Sequence, residues 1–298
     1  MTLWILAASL TSFAAIAQDA PAPVPEGAGP TSEAVPAAAP VPVPEAAPAA
    51  AWAPLGYPDT YVLRPLTVPP GMFQGTLPVV LSLSKNAVLK PVWIPLDMRF
   101  GMTDQFEVFV SHNALGAPLA AGGGGLCLGR KQYCPKLYNN LNVGGQYSFV
   151  KGNGFELSGL LAAEFKEFSP DLLFAVDVGI GVKYVAPIVS VKATPRVGIG
   201  VNKRSAGNEE EAIGVPVQIA LQAAPQLALF IDTGIFGPTR QFGQTYAIPL
   251  GIGADLLARH GFDVGAELMF PALGHGSAVA GKATDSRTFM LYAAWRSP

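Results

Sequence analysis

The chain has 298 residues, of which 50% are hydrophobic and 13% are charged, and its net charge is -2. Lysine and arginine form no basic stripe, so the composition argues against nucleic-acid binding. No segment after residue 17 contains the roughly 18 consecutive apolar residues of a membrane-spanning helix, so the apolar residues are expected in strands.

Residues 1–17 have the pattern of a cleaved export signal. An apolar stretch runs from Leu3 to Ile16, and Ala15-Ile16-Ala17 supplies the small residues that precede a cleavage point, so we expect cleavage after about Ala17. Residues 1–3 depart from the pattern because they carry no lysine or arginine. The alternative is a buried N-terminal helix, but no capping residue or polar helical face supports it.

Residues 18–59 are dominated by alanine, proline and valine. A stretch of this composition cannot bury a core, so we expect a disordered linker. Repeated Pro-x-Pro spacing favours an extended chain of about 3.1 Å per residue, which would reach on the order of 100 Å if straight. Two interpretations stay open: a periplasmic spacer that touches the cell wall, and a solvated tail without a partner.

Residues 60–298 are predicted to form a transmembrane β-barrel, because polar and apolar residues alternate with period two from Gly71 onward. Ser190, Lys192 and Arg196, for example, interleave with valine and alanine, so one sheet face suits lipid and the other water. The alternation predicts an all-β, antiparallel up-and-down barrel of about twelve strands at 72–83, 91–101, 104–112, 139–150, 155–166, 172–184, 187–202, 213–222, 226–236, 245–257, 261–270 and 286–296.

The predicted connections alternate in length, which is typical of barrels with short periplasmic turns and longer outer loops. The short connections are 101–104, 151–154, 185–186, 223–225 and 258–260. The long ones are 84–90, 112–138, 167–171, 202–212, 237–244 and 271–285. A proline within a strand deletes a ladder hydrogen bond; several of the prolines fall at the outer rim, but Pro78 and Pro195 fall in mid-strand without an evident reason.

Aromatic residues gather near both ends of the predicted strands, as in the interfacial girdles of membrane barrels. Residues 71–298 therefore resemble bacterial outer-membrane β-barrel proteins, although no particular subfamily matches. The resemblance implies a location in the outer membrane, contact with its lipid, and recognition of the last strand by the assembly machinery. The last strand alternates Phe289, Leu291, Ala293 and Trp295, but three further residues follow where such proteins usually end on the aromatic residue.

The polar parity of the strands predicts which charged side chains face the lumen. The candidates are Asp97, Arg99, Glu156, Asp177, Lys192, Arg196 and Asp232. A tight turn at 185–186 would set Asp177 opposite Thr194, with Lys192 and Arg196 as diagonal neighbours. These charges favour either a field that selects solutes in an open pore or a salt-bridged, filled interior.

Cys127 and Cys134 are the only cysteines, and they lie seven residues apart in the longest outer loop. In an exported protein this spacing predicts a disulfide, with two free thiols as the alternative. The loop offers too few further ligands for a metal site. The three histidines fall in loops or turns, and Ser111 beside His112 would point to the opposite face of a strand, so we expect no enzyme activity and no cofactor.

Three functions are consistent with these patterns. The first is a porin-like channel for passive diffusion of small polar solutes or ions. The second is a non-conducting structural or interaction barrel with a filled lumen, and the third is a soluble periplasmic ligand-carrying barrel with apolar side chains inside. Neither the solute nor the oligomeric state follows from the sequence.

Overall fold

The computed structural model describes residues 57–84, 87–130, 134–152, 154–168, 172–202, 211–278 and 284–297. The predicted signal peptide and all of the predicted linker before Tyr57 lie outside the described residues. The folded part of the chain begins earlier than the predicted boundary at residue 60, because it includes Tyr57, Pro58 and Asp59.

Fifteen strand segments form one antiparallel sheet that closes on itself where β1 pairs with β15. The segments are β1 Phe73–Ser84, β2 Ala87–Ile94, β3 Asp97–Gly101, β4 Phe106–Ser111, β5 Gly125–Leu128, β6 Tyr138–Gly152, β7 Phe155–Glu167, β8 Leu173–Val185, β9 Val189–Ala193, β10 Arg196–Gly200, β11 Ala212–Ala224, β12 Leu227–Pro238, β13 Ala247–Arg259, β14 Phe262–His275 and β15 Thr288–Ser297.

Three pairs of segments each occupy one position in the barrel wall. β2 and β3 follow one another along β1, and β9 and β10 follow one another between β8 and β11. β4 and β5 share the place between the second strand and β6. The wall therefore has twelve strands, which confirms the predicted all-β barrel.

Prolines explain why two of the predicted strands are divided. Pro95 separates β2 from β3, and Pro195 separates β9 from β10. The register on either side of the first break places Pro78 opposite Pro95. Two residues that lack an N–H donor thus meet at one interrupted rung, which accounts for the mid-strand Pro78. The second break has a similar arrangement, because Pro195 lies beside the rung formed by Thr194 and Pro216, where the Thr194 amide donates to the Pro216 carbonyl at 3.1 Å.

The predicted register of the 185–186 turn is wrong. Asp177 lies opposite Gly198 rather than Thr194, and Lys192 lies opposite Lys183. The reason is a longer turn: the chain turns through residues 186–188, and the Ala186 amide donates to the Val189 carbonyl at 2.8 Å. Of the two predicted diagonal neighbours of Asp177, only Arg196 keeps that position.

The barrel wall is polar inside and apolar outside. Val178 and Ile180 on β8 are 49% and 53% exposed, whereas Asp177, on the opposite face of the same strand, is fully buried. The same inversion runs through the other strands, where Glu107, Asn142, Glu164 and Asp263 are almost completely buried. A soluble barrel that carries a ligand requires the opposite arrangement, so this pattern argues against that interpretation.

Exposed aromatic side chains surround the end of the barrel that carries the short turns. Phe149 and Tyr184 are 59% and 58% exposed there, beside Tyr147, Phe155 and Phe100. Aromatic rings at this level are typical of a membrane–water interface. In the described part of the chain, the helices are all too short to cross a membrane.

Candidate functional site: the barrel lumen

An N-terminal segment, Tyr57–Met72, lies inside the lumen at the short-turn end, which is the periplasmic end of such barrels. Its Val62 and Thr67 side chains are fully buried, and Val68 and Met72 are 2% exposed. The Tyr61 hydroxyl lies 3.3 Å from Oε1 of Gln218 on β11, while other residues of the segment contact β4, β7 and β14 on different sides of the wall. The segment therefore crosses the lumen rather than lining one wall.

Arg64 is the main polar anchor of the N-terminal segment. Its guanidinium donates to both carboxylate oxygens of Asp263, at 2.9 and 3.0 Å, and lies 3.9 Å from Asp255. Arg296 also pairs with Asp263. Burial alone lowers the pKa of Arg64, but Asp263 and the other nearby anionic groups raise it by more, so the net shift is upward. Arg64 is thus a fixed positive charge inside the barrel.

Carboxylates of the wall also satisfy the irregular backbone of this segment. The Leu66 amide donates to Oε2 of Glu156 at 2.7 Å, and the Val68 amide donates to Oε2 of Glu107 at 2.7 Å. The Lys183 ammonium donates to the Arg64 carbonyl. A buried segment without regular structure needs such partners for its N–H and C=O groups. Glu156, predicted to line the lumen, holds the N-terminal segment in this way.

A second part of the chain also enters the lumen: residues 112–124, here called the inner loop. Leu115 packs over Gly198 and Gly214 on one wall. Ala120, fully buried, packs against Val80, Met269 and Met290 on the other wall. The inner loop therefore crosses the barrel between β10–β11 and β14–β15.

His112 and Asn142 fix the start of the inner loop. Nδ1 of His112 lies 2.6 Å from the Leu96 carbonyl, and Nε2 of His112 faces the Tyr138 hydroxyl. Nδ2 of Asn142 donates to the Asn113 carbonyl at 2.7 Å. Both ring nitrogens of His112 are thus engaged in holding structure.

Between the N-terminal segment and the inner loop lies a cavity of about 300 Å³, here called the chamber. Charged side chains of both signs line it: Arg64, Asp97, Arg99, Lys183, Lys192, Arg196, Asp232, Asp255, Asp263 and Glu267. The polar lining is typical of a water-filled passage and is unlike the apolar pocket of a lipid carrier.

Five of the seven predicted lumen residues line the chamber: Asp97, Arg99, Lys192, Arg196 and Asp232. Arg99 lies 3.4 Å from Asp97 and 3.5 Å from Glu107, so it is neutralised locally. Asp177 does not line the chamber. It is fully buried, and neither of its carboxylate oxygens has a hydrogen-bond partner among the described residues.

Sequence analysis missed the N-terminal segment and the inner loop. Neither segment alternates in polarity, so the period-two pattern that identifies strand residues facing the lumen does not identify these segments. The signal that marks the N-terminal segment is the appearance of Tyr57, Tyr61 and Arg64 after a long stretch of alanine and proline. Side chains of this kind bury and anchor a segment, which alanine and proline do not.

The two cysteines form a disulfide between Cys127 and Cys134, at the outer end of the barrel beside β5. The bond joins β5 to the chain that leads into β6. Neither cysteine lines the chamber.

No family model matches the chain, and no curated protein matches it. Among solved structures, the NanC porin superposes with a TM-score of 0.55 at 6% identity, over 75% of this chain and 100% of that chain. The KdgM porin superposes with a TM-score of 0.50 at 8% identity, over 74% of this chain and 98% of that chain.

A structure of the KdgM porin in complex with disordered oligogalacturonate gives a TM-score of 0.51 over the same shares of the two chains, 74% and 98%. At such low identity the similarity concerns the fold alone. These superpositions are consistent with the closed twelve-strand wall and with its apolar exterior. The chain has the fold of the bacterial outer-membrane β-barrel porins, with its apolar surface in membrane lipid.

Proposed function

We propose that the protein is a porin-like channel of the outer membrane for passive diffusion of small polar solutes or ions. The observation that carries this proposal is the charged chamber of about 300 Å³ inside a wall whose outer face is apolar. Asp97, Arg99, Lys192, Arg196 and Asp232 are the charges that a passing solute meets. Glu156 and Asp177 act from the wall, outside the path.

The proposal assigns no catalytic step to the barrel. The ring nitrogens of His112 are engaged by the Leu96 carbonyl and the Tyr138 hydroxyl. His260 pairs with Asp59 at the periplasmic end. A hydrolase needs a free base beside a nucleophile, and these two histidines are engaged in contacts that hold the N-terminal segment and the inner loop.

The N-terminal segment and the inner loop restrict the passage. Together they occupy the lumen on both sides of the chamber, so the proposal requires that solutes pass around them or that the N-terminal segment moves. The same observation favours a second candidate, a non-conducting structural or interaction barrel. Under that candidate the salt bridges of Arg64 and Arg296 with Asp263 serve only to fill and stabilise the interior.

The remaining parts of the chain have proposed roles that follow the same scheme. Residues 1–17 direct export and are removed, and the rest of the chain before Tyr57 forms a spacer that reaches toward the cell wall from the periplasmic end. β15, which presents Phe289, Leu291 and Trp295 in alternation, is the strand that the outer-membrane assembly machinery recognises. The outer face of the barrel contacts lipid.

Liposome swelling tests the proposed function. Purified full-length protein is reconstituted, and the entry of neutral polar solutes of increasing size is followed by light scattering. We expect swelling with the smallest solutes and a steep fall as the solute approaches the size of the chamber. Liposomes with heat-denatured protein are the control. Swelling no faster than in this control would favour the non-conducting barrel.

A further inference from the structure

Apart from Arg64, Asp97 and Arg99, which pair with neighbouring charges of opposite sign, the charges that line the chamber are separated by sign. Lys183, Lys192 and Arg196 stand on consecutive segments β8, β9 and β10, whereas Asp232 stands on β12 and Glu267 on β14. β11 lies between the two groups of strands. One wall of the chamber is therefore basic and the other acidic.

Lys192 and Arg196 have no carboxylate within ion-pair distance among the described residues, although Asp177 lies diagonal to Arg196 across the β8–β10 pair. Nε of Arg196 is buried without a hydrogen-bond partner in the described part of the chain. Glycines make room for the Arg196 side chain: a Cβ atom at Gly116 would lie 2.6 Å from its Nε, and one at Gly179 would lie 2.8 Å from its Cγ. The Arg196 side chain thus packs closely against Gly116 and Gly179 at the chamber wall.

Asp232 and Glu267 are the matching pair on the acidic wall. Asp232 is 9% exposed and accepts only the Gln218 amide, at 3.1 and 3.3 Å, among the described residues. Glu267 is 2% exposed, and its Oε1 has no partner in the described part of the chain. A Cβ atom at Gly251, opposite Asp232, would lie 2.1 Å from that Oε1. Glycine at 251 therefore lets Glu267 lean toward Asp232.

The other carboxylates of this wall are already neutralised. Asp263 is bound by Arg64 and Arg296, and Asp255 lies 3.9 Å from Arg64 and accepts the Tyr292 hydroxyl at 2.7 Å. Among the described residues, the charges of the chamber that form no ion pair are thus Lys183, Lys192 and Arg196 on one wall and Asp232 and Glu267 on the other. Buried charges of this kind require partners of opposite sign.

Gln218 lies between the two groups of charges. It lies opposite Lys192 on one side and opposite Asp232 on the other, and its amide is bound to Asp232. The backbones of β9 and β12 are two strand spacings apart, or about 10 Å. A solute that bridges the two walls must therefore present an anionic group to the basic wall and a cationic group to the acidic wall.

We propose that the chamber binds a small zwitterion of the amino-acid type. Its carboxylate accepts from Lys192 and Arg196, and its ammonium donates to Asp232 and Glu267. The inference rests on the proposed function, because the solute reaches the chamber along the channel. A volume of about 300 Å³ is large enough to hold a solute of this size.

Three probes of nearly equal shape test the proposal by calorimetric titration of the purified full chain in detergent. They are L-alanine, lactate, in which a hydroxyl replaces the ammonium, and alaninamide, in which an amide replaces the carboxylate. We expect L-alanine to bind at least about tenfold more tightly than either analogue, because each analogue leaves one group of chamber charges unpaired. Equal affinities for the three probes, or no binding of L-alanine, would overturn the proposal.

Single substitutions assign the two ends of the solute. Glu267→Gln is expected to abolish the preference for L-alanine over lactate, and Lys192→Met to abolish the preference over alaninamide. Asp232→Asn and Arg196→Met provide a second variant for each wall if either of the first two fails to give a compact, heat-modifiable band. Glu167→Gln, at the outer end of β7, is the matched control and should bind all three probes like the wild type. Variants that weaken all three probes equally would contradict the assignment.

Conductance in KCl, recorded on the same preparation, separates this proposal from the proposed function. Binding of L-alanine without current would support the zwitterion site and contradict the channel. Current without any preference for L-alanine would contradict the zwitterion site and leave the channel intact.

Discussion

Replacing Arg64 by methionine should release the N-terminal segment from the lumen. Arg64 makes two hydrogen bonds to the Asp263 carboxylate, at 2.9 and 3.0 Å, and its side chain is only 12% exposed. Hydrogen bonds to charged groups contribute about 1.5–3 kcal/mol each. Because Arg296 still neutralises Asp263 in the variant, no carboxylate is left unpaired and the loss stays near the lower end, about 3 kcal/mol for the pair of bonds.

A loss of about 3 kcal/mol changes the ratio of lumen-bound to released segment by roughly 100-fold. Two measurements follow this shift. Single-channel recording should show longer or larger openings for Arg64→Met than for the wild type, and limited proteolysis should cut within residues 57–72 more rapidly. Both effects have the same physical cause, because the segment must leave the lumen to unblock the passage and to reach a protease.

Arg259→Met is the control for the loss of one arginine, since Arg259 is exposed at the periplasmic end of β13 and stacks on Phe262. It should leave conductance and cleavage unchanged. The reasoning is refuted if Arg64→Met folds into a compact, heat-modifiable band with wild-type conductance and wild-type protease resistance. That result would mean that Arg64 is not what holds the segment.

Three further predictions concern the segment, the outer loop and the lipid-facing wall. Gly101→Ala should also loosen the N-terminal segment, because a Cβ atom there would lie 1.9 Å from the Pro69 carbonyl oxygen; faster proteolysis of residues 57–72 is the expected result, and unchanged proteolysis would contradict the packing. Serine at Cys127 and Cys134 should destabilise only the outer loop, by about 2.5 kcal/mol for a loop of this length, so protease should cut the loop faster while the heat-modifiable band persists. Val178→Lys, on the 49% exposed outer face of β8, should cost about 2–4 kcal/mol of unfolding free energy in urea titrations in lipid; a loss within about 0.5 kcal/mol would place Val178 outside the hydrocarbon layer.

The wall of the barrel follows from the sequence because period-two alternation reports directly on which side of a strand each residue occupies. Lys192 and Arg196 were placed on the inner face by parity alone, and the register shift of the 186–188 turn did not change this. A shift by an even number of residues keeps every side chain on its face. Cross-strand pairs depend on the length of the turn, so the predicted pairing of Asp177 with Thr194 is wrong.

The contents of the lumen do not follow from strand periodicity. The N-terminal segment and the inner loop are irregular, and they are fixed by single long-range contacts such as Arg64 with Asp263 and Ala120 with Met269. Such contacts join residues far apart in the chain, so no local pattern announces them. The mid-strand Pro78 is a similar case. Its position is accounted for by Pro95, which lies opposite it on the neighbouring strand, and this pairing cannot be read from the local sequence.

Single-channel current through the full-length protein in a planar bilayer tests the channel most directly. The same sample is run unheated and heated on a denaturing gel, so that insertion of a folded barrel is established independently of current. We predict discrete current steps from a preparation that shows a compact unheated band. A compact band that inserts and never conducts would contradict the channel and identify the N-terminal segment and inner loop as permanent filling of a structural barrel.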